Sequence, residues 1–210
     1  MEIYKKLDNF KPLKKSVITI GSYDGLHRGH FHIINRLQSI ARSTNSKSVV
    51  ITFEPHPRHV VNSDDRKLKL IMSQDRKIEI LKKLDVDILI ILEFNKNFMK
   101  ITAENFMKDF LIQYFSPKYI VAGKNHSFGY KREGDSKFLM DFCKQNNIEL
   151  EIVNPIKDGH LFISSTNIRK LIKNGFVRRA NYELGSIYGF NAKVVRGAGR
   201  GKGLNFPTAN

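Results

Sequence analysis

Apolar positions along the chain alternate between two spacings. Ser16-Val-Ile-Thr-Ile20 reads as a buried strand, and the glycine-bearing turn after it leads into a helical pattern with Ile33, Ile34 and Leu37 on one face. Ser48 to Phe53 reads as a second strand, so the opening fifty residues form a βαβ unit of the parallel-sheet kind, with a right-handed connection. The alternation continues. A helix is predicted over Gln74 to Leu84, a strand over Val86 to Leu92, and a helix over Ala103 to Phe115 with Phe106, Phe110, Leu111 and Tyr114 on its apolar face. Strand Tyr119 to Ala122, helix Ser136 to Gln145 and strand Ile148 to Val153 follow. Ser165 to Asn174 reads as a helix stopped by Gly175, and a short helix around Arg178 to Leu184 comes after it.

The expectation is an α/β fold with five parallel strands and helices on both faces. From Tyr188 the helical spacing stops, and Gly189 to Gly203 reads as a β-strand entering a glycine-rich loop. This places a domain at 1–186 and an incomplete β segment at 187–210, with no internal repeat.

Composition adds limits. The chain has 210 residues, 41% hydrophobic and 27% charged, which suits one full domain with a packed core and part of a second. The single cysteine, Cys143, cannot form an internal disulfide, the N-terminus carries no secretory h-region, and the longest apolar run, Ile88 to Leu92, is far short of a membrane span. A cytoplasmic, non-membrane protein is expected. The net charge of +16 favours anionic partners. Its lysines are spread along the chain with no zinc-finger or RNA-recognition spacing, which ranks nucleic acid below nucleotides.

The chemistry centres on Gly21-Ser-Tyr-Asp-Gly-Leu-His-Arg-Gly-His30. His27 and His30 sit three apart at a helix start and converge on one spot, where unpaired N–H groups and the positive end of the helix dipole favour an anion. Gly21, Gly25 and Gly29 are expected to let phosphates approach the backbone, and Ser22, Tyr23 and Asp24 complete the loop. Read alone, Asp24 is a turn residue bonded to backbone. Two ring N–H donors here could hold the α-phosphate of ATP and stabilise charge moving onto pyrophosphate. Ser164, Ser165 and Thr166 cap a helix and face the triphosphate, and Arg169 offers a guanidinium fork to phosphate oxygens.

This segment resembles the signature of the nucleotidyltransferase superfamily. Phe53-Glu-Pro-His-Pro57, Gly123-Lys-Asn-His-Ser-Phe-Gly129 with Gly134-Asp135, and Ile163-Ser-Ser-Thr-Asn-Ile-Arg169 resemble, in the same order, the successive motifs of bacterial FAD synthetases, the bifunctional riboflavin kinase/FMN adenylyltransferases. The resemblance covers residues from about 16 to 185. It implies a Rossmann-like nucleotidyltransferase fold and transfer of AMP from Mg-ATP to FMN, giving FAD and pyrophosphate. His27, His30, Ser165, Thr166 and Arg169 would be catalytic; Phe53, Pro55, His56, Pro57, Asn125 and Phe128 would border the flavin. His126 stands where the family has an aromatic residue. Mg2+ is assigned to the ATP phosphates rather than to a protein cage.

Gly199 to Asn210 resembles the opening motif of a riboflavin kinase module, with Asn205 where the family has glycine. There Thr208 and Asn210 would meet phosphate and metal if the module were complete. Kinase activity is expected to be absent from these 210 residues, with the tail incompletely packed. Two other readings stay open: a nucleotidyltransferase acting on a nicotinamide or pantetheine phosphate, and a non-catalytic nucleotide- or RNA-binding module. Oligomeric state is not legible.

Overall fold

In a computed structural model of the chain, residues 1–61 and 68–195 are described. Their strands are β1 (Glu2–Tyr4), β2 (Ser16–Ile20), β3 (Lys47–Glu54), β4 (Ile88–Glu93), β5 (Pro117–Gly123) and β6 (Glu149–Val153), with a small antiparallel pair β7 (Lys157–Asp158) and β8 (Leu161–Phe162). The first six form one sheet in the order β1-β4-β3-β2-β5-β6, every neighbouring pair parallel. The sequence pattern accounts for five of them. The sixth, β1, is three residues long, too short for periodicity to show; backbone pairing of Glu2 to Tyr4 with Ile88 to Ile90 defines it.

The helices are α1 (Arg28–Ser43), α2 (Pro57–Val61), α3 (Gln74–Lys83), α4 (Ala103–Asn105), α5 (Gln113–Phe115), α6 (Ser136–Gln145), α7 (Ser165–Lys173) and α8 (Val177–Leu184). Val17, Val50, Leu89, Ile91 and Val121 pack under Ile34 and Leu37 of α1 and Ile80 and Leu81 of α3. Ile18, Ile20, Ile51, Ile90 and Ile120 face the other way, toward Phe106, Leu111, Phe115, Leu139 and Phe142. Both faces of the sheet are covered, so all five residues of β2 are buried, its two hydroxyls included: Ser16 donates to the Phe115 carbonyl and Thr19 to that of Val121.

The helix expected over Ala103 to Phe115 is present with a difference. Thr102 caps it by accepting from Asn105 N at 3.2 Å, but Phe106–Ile112 between α4 and α5 is π-helical. Phe106 and Leu111, five residues apart, are buried there with Met107, and Phe115 of α5 follows four residues on, while Phe110 and Tyr114 are half-buried. The backbone leaves this helix through Ser116 in the left-handed region at φ 41°.

The strand expected after Tyr188 does not form among the described residues. Residues 187–195 pair with no strand, and Ile187, Phe190, Val194 and Val195 are exposed. A strand is held by a neighbour's backbone, and among the described residues these have no such partner. Thr208, Asn210 and the Asn205 departure lie outside the described residues.

Candidate active site

From β2 the chain winds outward through β3 and β4, then returns to lay β5 on the other side of β2. In an open parallel sheet such a reversal leaves a crevice beyond the carboxyl ends of the two strands. Thr19 ties them together by donating to the Val121 carbonyl at 2.7 Å. Its hydroxyl oxygen also lies 2.6 Å from the Tyr23 hydroxyl, which therefore acts as the donor of that pair.

Gly21 to His30 spans this crevice. Tyr23, Gly25 and Leu26 all adopt left-handed backbone conformations, at φ 48°, 87° and 37°. For Tyr23 and Leu26 such geometry is strained, and it persists because both side chains are buried, Tyr23 on the Thr19 bond and Leu26 in the core under α1. The glycines serve the protein's own packing rather than simply opening a path to phosphate. A Cβ on Gly25 would lie 2.9 Å from Ile71 Cδ1, and one on Gly29 would lie 3.1 Å from the His27 ring.

His27 is the N-cap of α1 and makes no side-chain capping bond, so the first N–H groups of this sixteen-residue helix stay free for a ligand. The His27 and His30 rings stack with centroids 3.7 Å apart and planes 18° from parallel, and Tyr23 meets His30 edge-on. The Nδ1 of each histidine is buried without a partner, leaving Nε2 as the nitrogen that can meet a ligand. Burial lowers the His27 pKa to about 4 against a smaller opposing pull from Asp24. His30 is held well below the ordinary range by burial first, then by His27 and Lys77. At neutral pH the stack is a pair of uncharged imidazoles.

Asp24 is not a local turn residue. Its side chain is buried, with Oδ1 accepting from Ile71 N at 2.9 Å and Oδ2 from Arg169 Nη2 at 2.5 Å, while its carbonyl accepts from Ser165 Oγ at 2.8 Å. One residue thereby joins the loop, the chain at Ile71 and the start of α7. Arg169 is correspondingly not a free fork, since Nε also donates to the Lys69 carbonyl at 3.0 Å. Ser164 is the N-cap of α7, accepting from Asn167 N at 3.2 Å, and Thr166 is exposed.

Residues 10–167 match the family described as FAD synthetase. The chain belongs to that family. It is 32% identical over 212 residues to the bifunctional riboflavin kinase/FMN adenylyltransferase of Buchnera aphidicola subsp. Schizaphis graminum, covering 100% of this chain and 68% of that relative. The protein of the same name from Escherichia coli strain K12 is 30% identical, with 100% and 67% covered. Among solved structures, one named as a macrolide-efflux protein from Streptococcus pneumoniae superposes with a TM-score of 0.85 at 30% identity, over 99% of this chain and 67% of that one. Among the described residues no helix is long and apolar enough to cross a membrane.

The remaining motifs of this FAD synthetase family member fall at neighbouring strand ends. Phe53 lies near the end of β3 and packs on Phe94 and Phe98, with centroids 5.7 and 5.8 Å away. Pro55 is exposed and Pro57 opens α2. His56 is buried, and its Nδ1 accepts from Arg58 N at 3.2 Å. After β5, Asn125 is exposed, whereas Phe128 is packed against Phe106 and Phe138 with His126 stacked on it at 5.5 Å. One face of the Phe128 ring, expected to be offered to a flavin, is therefore taken by His126. Gly129, at φ 74°, passes so close to α4 that a Cβ would lie 2.6 Å from Ala103 N. Glu133 accepts from that same N–H at 2.7 Å, and Asp135 caps α6.

Lys77 escaped the sequence reading. It is buried, and Nζ donates to the Ser22 carbonyl at 2.7 Å and to Thr52 Oγ1 at 3.3 Å. The signal was present in α3, where Lys77 shares the inward stripe with Ile80 and Leu81.

The histidines set a pH dependence of stability. Burial also lowers His56 and His126 to about 4. The unfolded chain takes up these protons near pH 6.5, the folded chain only near 4 for His27, His56 and His126 and well below the ordinary range for His30. Acid thus draws the chain toward the unfolded state, so stability is full above about pH 6.5 and lost as pH falls. The urea midpoint should drop steadily from about pH 6.5 to 4; a flat midpoint there would mean that the rings are not buried as neutral groups.

Proposed function

We propose that this chain is an FMN adenylyltransferase, the activity carried in the names of its relatives. The supporting observation is the uncharged His27–His30 stack at the free N-terminus of α1, at the reversal point of the sheet and inside the region that matches FAD synthetases. An FMN phosphate oxygen attacks the α-phosphorus of ATP, the bond from that phosphorus to the bridging oxygen breaks, and pyrophosphate leaves. His27 and His30, protonated on Nε2, donate to oxygens that gain charge, and the N–H groups of α1 hold the phosphates without reorganising.

Arg169 and Ser165 act in this reading through Asp24, which fixes where the start of α7 meets the loop. Thr166 is the member of that turn with its side chain open to a ligand. Mg2+ is taken to arrive on the ATP phosphates; among the described residues no three His, Cys, Asp or Glu side chains gather to hold a metal. The flavin ring is assigned to the side of the crevice near Phe53, His56 and Asn125.

Incubation with Mg-ATP and FMN should yield FAD and pyrophosphate in equal amounts. Nicotinamide mononucleotide and phosphopantetheine, supplied in place of FMN, should release none. Pyrophosphate from either of these and not from FMN would reassign the acceptor.

A further inference from the structure

Lys77 carries a buried charge with no ion-pair partner among the described residues. Its side chain is 6% exposed, yet among the described residues no carboxylate lies within ion-pairing distance. Its two partners are neutral oxygens, the Ser22 carbonyl and the Thr52 hydroxyl. The nearest acids that act on it are Asp24, whose carboxylate is already taken by Arg169 and Ile71 N, and the exposed Glu54. Burying an ammonium is costly unless an anion compensates it. Hydrocarbon at this position, continuing the Ile80 and Leu81 stripe, would avoid that cost.

The location says what the anion is. Ser22 lies between Gly21 and the strained Tyr23, so the bond from Nζ fixes the peptide that starts the loop over the crevice. After burial and His27, the same ammonium adds to what keeps the His30 ring uncharged. We propose that Lys77 is a positioning residue for nucleotide phosphate, clamping the loop through the Ser22 carbonyl and supplying the buried positive charge that a polyphosphate in the crevice neutralises. This rests on the nucleotidyltransferase reading of the site. It adds a cation without an ion-pair partner, from a helix outside the recognised motifs, to the neutral His27–His30 donors.

Lys77→Gln keeps an N–H donor for Ser22 and removes the charge. Calorimetry with Mg-ATP should show binding weakened about tenfold or more, with FMN affinity unchanged and the urea midpoint of the ligand-free protein no lower than that of the unaltered chain. A purely structural lysine would give the reverse, a lower midpoint with unaltered ATP affinity, and that result overturns the proposal. Weakened FMN binding with normal ATP binding would assign the charge to the flavin's phosphate and also overturn it. If the variant does not fold, the unaltered chain carries the test through the lysine Nζ resonance. That resonance should move on addition of Mg-ATP, and a resonance that does not move refutes the inference. Absence of any ATP binding by the unaltered chain would instead remove the nucleotidyltransferase reading itself.

Discussion

Replacing His30 by alanine is expected to lower the turnover of FAD formation by about 10²-fold or more, the loss typical of removing one preorganised donor to developing charge. The expectation follows from burial. A charged imidazolium would attract phosphate in the ground state and the transition state alike, whereas a neutral ring, fixed between His27 and Tyr23, contributes most where an oxygen gains charge. The loss should therefore fall on kcat, with the KM for ATP changed little. His30→Phe separates the donor from the ring, since it keeps an aromatic face on His27 and carries no N–H. Near-normal turnover in His30→Phe would assign His30 to packing, and near-normal turnover in both variants would remove it from catalysis.

The sheet was legible because its central strands β2, β3 and β4 are buried on both faces and α1 and α3 on one, so the two periodicities separate cleanly there. Where local spacing is not what sets the structure, the reading failed. Three-residue β1 depends on the edge of β4, and residues 187–195 have strand-like composition but pair with no strand among the described residues. The π geometry of Phe106–Ile112 leaves no mark in composition, because the same residues could pack in an α-helix.

The site divides in the same way. His27 and His30 are neighbours on a helix, so their convergence follows from spacing alone. The bonds from Asp24 to Ile71, Ser165 and Arg169 span 47, 141 and 145 residues, and no local pattern can announce them. Lys77 lies between these cases. A lysine on an apolar stripe is visible in the sequence, but its aim at Ser22 depends on α3 crossing the sheet beside β3.

Breaking the Asp24–Arg169 pair should be the most damaging change to stability in the site. Asp24→Ala strands a guanidinium whose side chain is only 17% exposed, and it leaves the buried Ile71 N–H without its acceptor. Removing one partner of a buried ion pair costs about 3 kcal/mol or more, which for a chain of this length lowers the thermal midpoint by roughly 10 °C. Most of that cost is the charge left behind rather than the bond lost. Arg169→Met in the Asp24→Ala background removes the stranded charge and should recover part of the midpoint, making the double variant more stable than Asp24→Ala alone. Asp24→Asn should fall between, since an amide oxygen can still accept from Ile71 N while the charge on Arg169 goes unmatched. Strict additivity of the two single changes would show that the residues are not coupled. It would also remove the physical reason for tying the glycine loop to Ile71 and to Arg169 of α7 through one carboxylate.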